Sequence, residues 1–142
     1  MVEFTFEYIE LQHGFPGEDG FVVRVRPGIR KKEELILELA EAAKFPGYFG
    51  HNWDALLDLL QDLSWIPMRR VLIVHDDVPL LQNSRDCRVY LEIIQSTLAI
   101  WSQPTKSTAL ETLPGWTYVE HELKVFFPIG SRANVERAIQ AG

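Results

Sequence analysis

Residues 44–67 read KFPGYFGHNWDALLDLLQDLSWIP, and the fold follows from how this stretch divides. Its first part is an aromatic loop punctuated by Gly47 and Gly50. From Asn52 onward the pattern changes to a helical one. Trp53, Leu56, Leu57, Leu60 and Leu63 recur at the 3.6-residue period and share one side. Asp54, Asp58 and Asp62, each four residues from the next, form a second stripe beside it. Asn52 is a good N-cap, and Asp54 falls in the first turn, where a carboxylate suits the helix dipole. Three like charges in that register cost an isolated helix roughly 0.2–0.5 kcal/mol per pair. The stripe is therefore either a solvated face or a surface that awaits a positive partner.

Working outward, residues 2–11 alternate, with Val2, Phe4, Phe6 and Tyr8 opposite Glu3, Thr5 and Glu7, which predicts a half-buried strand whose alternation breaks near Ile9. Turn formers fill residues 13–20 before a second strand over 21–26, closed by Pro27 and Gly28. Leu35, Ile36, Leu39, Ala40 and Ala43 predict a helix over 32–43, stopped by Phe45-Pro46-Gly47. On the other side, Pro67 ends the quoted segment, and RVLIVH at 70–75 is an apolar run suited to a strand buried on both faces. A third helix is expected over 86–101, with Val89, Tyr90, Ile93, Ile94, Leu98 and Trp101 inward. Residues 104–114 read as a loop and 123–127 as a final strand, after which Ser131 is placed to cap a helix over 132–141. Strands alternating with helices predict an α/β fold: a small parallel sheet of about three strands flanked by helices, with an extra N-terminal strand or an antiparallel hairpin at its edge. Strand order does not follow from the pattern. With no repeat or linker to divide it, the chain 1–142 is expected to form a single domain.

The totals narrow the function. A formal net charge of −6 argues against a general nucleic-acid or anionic-membrane binder, which needs clustered Lys and Arg, and favours a basic partner. One cysteine, Cys87, cannot make a disulfide scaffold. The opening MVEFTFEYIELQ carries acids where a secretory signal has a basic flank, and no run is long enough to span a membrane, so a cytoplasmic location is expected.

The chemistry concentrates at Tyr48, Phe49, Gly50, His51, Asn52, Asp54 and Asp58. Aromatic anchors beside fixed charges describe a protein-binding surface. Other readings are weaker. Asp54 and Asp58 as an acid/base pair would occupy one helix face, whereas glycosidase carboxylates flank the scissile bond across a cleft. The acidic stripe as a Mg²⁺ site is less plain than a solvated face. His75-Asp76-Asp77 ends a strand without a glycine-rich phosphate loop and reads as a turn, and His13 and His121 lack partners at metal-ligand spacing. Cys87 reads as an inert core thiol, and Trp101 and Trp116 as packing residues. No catalytic residue, metal or cofactor is expected.

FPGYFGHNWDALLDLLQDL, residues 45–63, resembles the signature of the barstar family, intracellular inhibitors of the secreted ribonuclease barnase. The likeness is contiguous through Pro46, Tyr48, Phe49, Gly50, Asn52, Asp54, Ala55, Leu56 and Asp58. The preceding helix, the Pro67 stop and the following strand keep the family's order, so the resemblance covers about 21–101 and leaves an N-terminal extension, 1–20, and a divergent tail, 102–142. It implies a docking loop of Tyr48, Gly50 and Asn52, with Asp54 and Asp58 reaching the cationic pocket that holds a ribonuclease's scissile phosphate. Phe49 stands where the family has tyrosine, His51 where it has an acid, and Leu57 where it has tryptophan; the stretch 95–100 lacks the family's later glutamates. These departures point to a basic ribonuclease or nuclease toxin other than barnase, with this chain as its immunity protein. The alternatives are a regulatory interaction domain for a non-nuclease protein, and a carboxylate-based hydrolase.

Overall fold

The computed structural model describes residues 6–10, 20–45, 52–63, 65–102 and 121–140. Four strands, β1 (Glu7–Ile9), β2 (Phe21–Val25), β3 (Arg70–His75) and β4 (Glu122–Pro128), form one sheet in the order β1-β4-β3-β2, and every neighbouring pair is parallel. Between β2 and β3 run α1 (Lys32–Ala42) and α2 (Trp53–Asp62); α3 (Ser84–Trp101) joins β3 to β4. A 3₁₀ turn (Ile129–Ser131) leads from β4 into α4 (Arg132–Gln140).

From β2 to β3 to β4 the chain moves one place across the sheet each time, in the same direction. Right-handed crossovers then deliver α1, α2 and α3 to the same face. The main core bears this out: Leu35 and Leu39 of α1, Leu56 and Leu60 of α2, Tyr90 and Ile94 of α3 and Val135 of α4 pack in one cluster with Val23, Val71, Ile73, Val125 and Phe127 of the sheet. The opposite face carries a smaller cluster of Leu72, Val74 and Phe126, flanked by Ile9 and Val22, in which no helix residue takes part among the described residues. Val71 to His75 are therefore buried throughout, as the unbroken apolar run of β3 predicts.

The expected extra N-terminal strand is present, and it takes the strand form rather than the hairpin. β1 pairs in parallel with β4, Glu7 opposite Phe126, while β2 lies at the far edge. Phe6 and Tyr8 meet Phe127 at ring-centroid distances of 5.1 and 6.3 Å, whereas Ile9 packs on the second face. The alternation breaks near Ile9 because the sheet is apolar on both sides there.

Boundaries differ for local reasons. α3 starts at Ser84, earlier than the expected 86, because Asn83 is the cap: its Oδ1 accepts from Asp86 N at 3.2 Å. β2 stops at Val25, since the Arg26 amide donates to the Glu38 carboxylate at 3.1 Å instead of joining the ladder. β4 is longer than expected; Glu122 N donates to Arg69 O at 2.8 Å and its carboxylate accepts from Arg70 Nε at 3.1 Å. Ser131, expected to cap the last helix, is buried and ends a 3₁₀ turn that runs directly into it. The turn expected at 13–19 and the loop at 104–114 lie outside the described residues. Among the described helices none is long and apolar enough to cross a membrane.

Candidate partner-binding site

Asn52 fixes where α2 begins. Its backbone is extended (φ −140°, ψ 170°), and its Oδ1 accepts from Ala55 N at 2.8 Å, satisfying one of the amides that a helix start leaves without a partner. The amphipathic period then turns Leu56 and Leu60 into the core. Asp54, Asp58 and Asp62 all face solvent along the other side, successive carboxylates about 6 Å apart along the axis. Among the described residues no Lys, Arg or His forms a salt bridge with any of the three, while Asp76, Glu38, Glu92, Glu122 and Glu136 each hold an arginine. Unlike those acids, the three carboxylates of the stripe have no ion pair among the described residues.

The N-terminal end of α2 is anchored by Trp53, half-buried, whose ring lies 6.5 Å from that of Tyr90 on α3. Tyr90 continues inward to a fully buried polar pair. Its hydroxyl lies 2.6 Å from His75 Nε2, and His75 Nδ1 lies 3.0 Å from Phe126 O. The carbonyl can only accept, so Nδ1 carries the proton and Nε2 accepts from the tyrosine O–H. His75 also stacks on Phe127, centroids 4.1 Å apart. Burial lowers its pKa to about 4, against a smaller upward pull from the Phe126 carbonyl and Asp76. Burial likewise pushes the Tyr90 phenol up, with Cys87 beside it adding to the shift. This is a neutral, hydrogen-bonded core element that carries α2 on its outer end.

The C-terminal end is held differently. Leu63 caps α2 in the left-handed region (φ 49°, ψ 24°), and its amide donates to Leu59 O at 3.1 Å. Trp101 Nε1 donates to Leu60 O at 2.8 Å, and His121 Nε2 lies 2.8 Å from Leu63 O. Beyond the helix, Trp65 Nε1 donates to Ala43 O at 2.9 Å and its ring meets Phe45 edge-on, tying the exit from α2 to the end of α1.

Of the seven residues expected at the site, Asn52, Asp54 and Asp58 lie at the start and on the exposed side of α2. Tyr48, Phe49, Gly50 and His51 lie outside the described residues. The weaker candidates resolve into structural roles. Asp76 is engaged by Arg24 through two guanidinium nitrogens, and Asp77 Oδ1 accepts from Val78 N at 2.8 Å, so the end of β3 is a turn. Cys87 is buried and its thiol is pushed up to about 11 by desolvation, the state of an inert core cysteine. Among the described residues no group of three His, Cys, Asp or Glu is placed to hold a metal ion. Trp101 and His121 act on α2 in a way that sequence reasoning missed. Their acceptors are backbone carbonyls 41 and 58 residues away, which no side-chain pattern encodes.

Comparison with curated proteins and with solved structures returns no match. The family model described as Barstar (barnase inhibitor) matches residues 21–112, which runs past the expected limit of 101 and takes in β2, α1, α2, β3 and α3. That match spans more than half of the sequence, and on it the chain belongs to the barstar family, whose members are inhibitors and bind a nuclease as protein partner.

Proposed function

We propose that the protein is a cytoplasmic proteinaceous inhibitor, an immunity protein, of a basic ribonuclease or nuclease toxin. Asp54 and Asp58 on α2, entered through the loop Tyr48, Phe49, Gly50, His51 and Asn52, occupy the enzyme's cationic active centre. The observation that carries this reading is the exposed carboxylate pair, one helical turn apart, on a helix whose two ends are both anchored in the core. Ribonucleases stabilise a developing phosphorane with Arg, Lys and His side chains. A carboxylate offers those donors acceptor oxygens in a geometry that matches a guanidinium bidentately, so a rigid pair stands in for phosphate charge. The same pair is badly placed for catalysis, since both acids approach a ligand from one side. A net charge of −6 draws a cationic partner in, behaviour for which barnase with barstar is itself a standard example.

The test is a titration of ribonuclease activity against a panel of small basic ribonucleases, barnase among them. Stoichiometric loss of activity at one inhibitor per enzyme for at least one member supports the reading. Undiminished activity across the panel at a large molar excess of this protein counts against it.

A further inference from the structure

We propose that Trp101 and His121 are positioning residues for the acidic face of α2, which they clasp from outside the helix at its C-terminal turn. The functional consequence rests on the partner-binding reading of α2; the clasp itself does not. The last carbonyls of a helix have no donor within it. In α2, Leu60 O takes the Trp101 indole N–H at 2.8 Å, and Leu63 O takes the His121 ring at 2.8 Å together with Ile66 N at 3.1 Å.

Leu63 makes this more than routine capping. Its left-handed backbone is a conformation that glycine adopts freely and a leucine resists. Its side chain is nonetheless needed in the core, where it is almost wholly buried. Glycine is thereby ruled out, and the strained residue has to be held by what surrounds it. The two donors come from separate elements, Trp101 from the last residue of α3 and His121 from just before β4, and their rings meet edge-to-face at 5.2 Å and 78°. His121 Nδ1 faces Arg69 O at 3.3 Å, a carbonyl already served by Glu122 N at 2.8 Å. Leu63 O is the closer acceptor, so in the neutral ring the proton belongs on Nε2. Asp62 stands on the turn that these carbonyls close, and Asp58, the nearer member of the proposed pair, stands one turn before it. A charge pair that must meet a guanidinium needs its support fixed to about half an ångström, and the clasp supplies that support.

The experiment is amide hydrogen exchange followed by NMR on the full chain and on Trp101→Phe, His121→Phe and His121→Gln. Phenylalanine keeps the ring packing and removes the donor; glutamine keeps a donor near the Nε2 position. The expected result is exchange faster by about tenfold or more at Gln61, Asp62 and Leu63 in both phenylalanine variants, with Ile73 and Val74 of β3 little changed and partial recovery in His121→Gln. Wild-type ring signals at pH 8.5 should show His121 protonated on Nε2, and the Trp101 indole proton should exchange far more slowly than a free indole. These last two readings need no variant, so a variant that fails to fold leaves the proposal open to contradiction. It is overturned if α2 and β3 amides accelerate together, if the last turn is unaffected by Trp101→Phe, if the proton sits on Nδ1, or if the indole exchanges like a free one. In ribonuclease titrations Trp101→Phe should dissociate from an inhibited enzyme faster than wild type. A wild type that inhibits no ribonuclease removes the inhibitor reading and leaves the clasp to be judged on exchange alone.

Discussion

Asn52 has two duties at the same position, and they separate experimentally. Its side-chain oxygen caps α2, and its place at the mouth of the helix puts it among the residues proposed to meet the partner. Asn52→Ala should lower stability by about 1 kcal/mol, read as a shift in the urea midpoint at unchanged slope. Asn52→Asp, which keeps a capping oxygen, should recover most of that loss; equal losses in both variants would contradict the capping role. His75 is the other residue with a measurable signature. Its folded pKa of about 4 lies below the ordinary 6.5, so the unfolded chain takes up the proton first. The stability it contributes is complete above pH 6.5 and declines as pH falls from 6.5 towards 4, by roughly 3 kcal/mol in all. An NMR titration should find the His75 ring still neutral at pH 5.5, and a midpoint near 6.5 would refute the buried Tyr90–His75–Phe126 arrangement. Removing only the hydroxyl, Tyr90→Phe, leaves a buried Nε2 unsatisfied and should cost about 1–3 kcal/mol.

At the scale of the element, α2 was the most legible part of the molecule. Its cap, its period and its acidic stripe all lie within a dozen consecutive residues, and local chemistry decides each of them. Leu56, Leu60 and Leu63 are buried as their spacing predicts, with Trp53 and Leu57 half-buried on the flanks. Leu60→Ala should therefore destabilise by about 2–5 kcal/mol, the range for a leucine removed from a packed core, whereas Asp62→Ala on the opposite side should leave the unfolding midpoint nearly unchanged. Similar midpoints for the two variants would mean that the helix faces have been misassigned. What could not be read were features whose cause lies far off in the chain. The 3₁₀ turn that carries Ser131 from β4 into the last helix is one, since it depends on β4 continuing through Pro128. Leu63 gives no sign of a left-handed backbone, since the bonds that hold it come from His121 and from the core.

For the whole molecule, the parallel α/β class was legible from alternating elements, and the strand order was not. β1 crosses from one edge of the sheet to be followed by β2 at the other, and nothing in residues 6–25 specifies that distance. Once the order is known, the placing of α1, α2 and α3 on one face follows from crossover handedness, and the apolar second face explains why Ile9 disturbed the pattern. The layer matters for function because it mounts α2 on α3 and the sheet, leaving the acidic stripe outward. The proposed steering belongs to this scale as well: it is a property of the summed charge, and it should weaken as salt shortens the screening length to about 8–10 Å at physiological ionic strength. Association with an inhibited ribonuclease should accordingly slow as salt is raised, and a rate indifferent to salt would contradict electrostatic capture. The most direct measurement is the inhibition of such a ribonuclease by Asp58→Ala and Asp62→Ala side by side. Loss of at least about tenfold in affinity for Asp58→Ala, equivalent to about 1.4 kcal/mol, with a smaller change for Asp62→Ala, is the predicted result. Inhibition by Asp58→Ala as tight as that of the wild type would contradict the account.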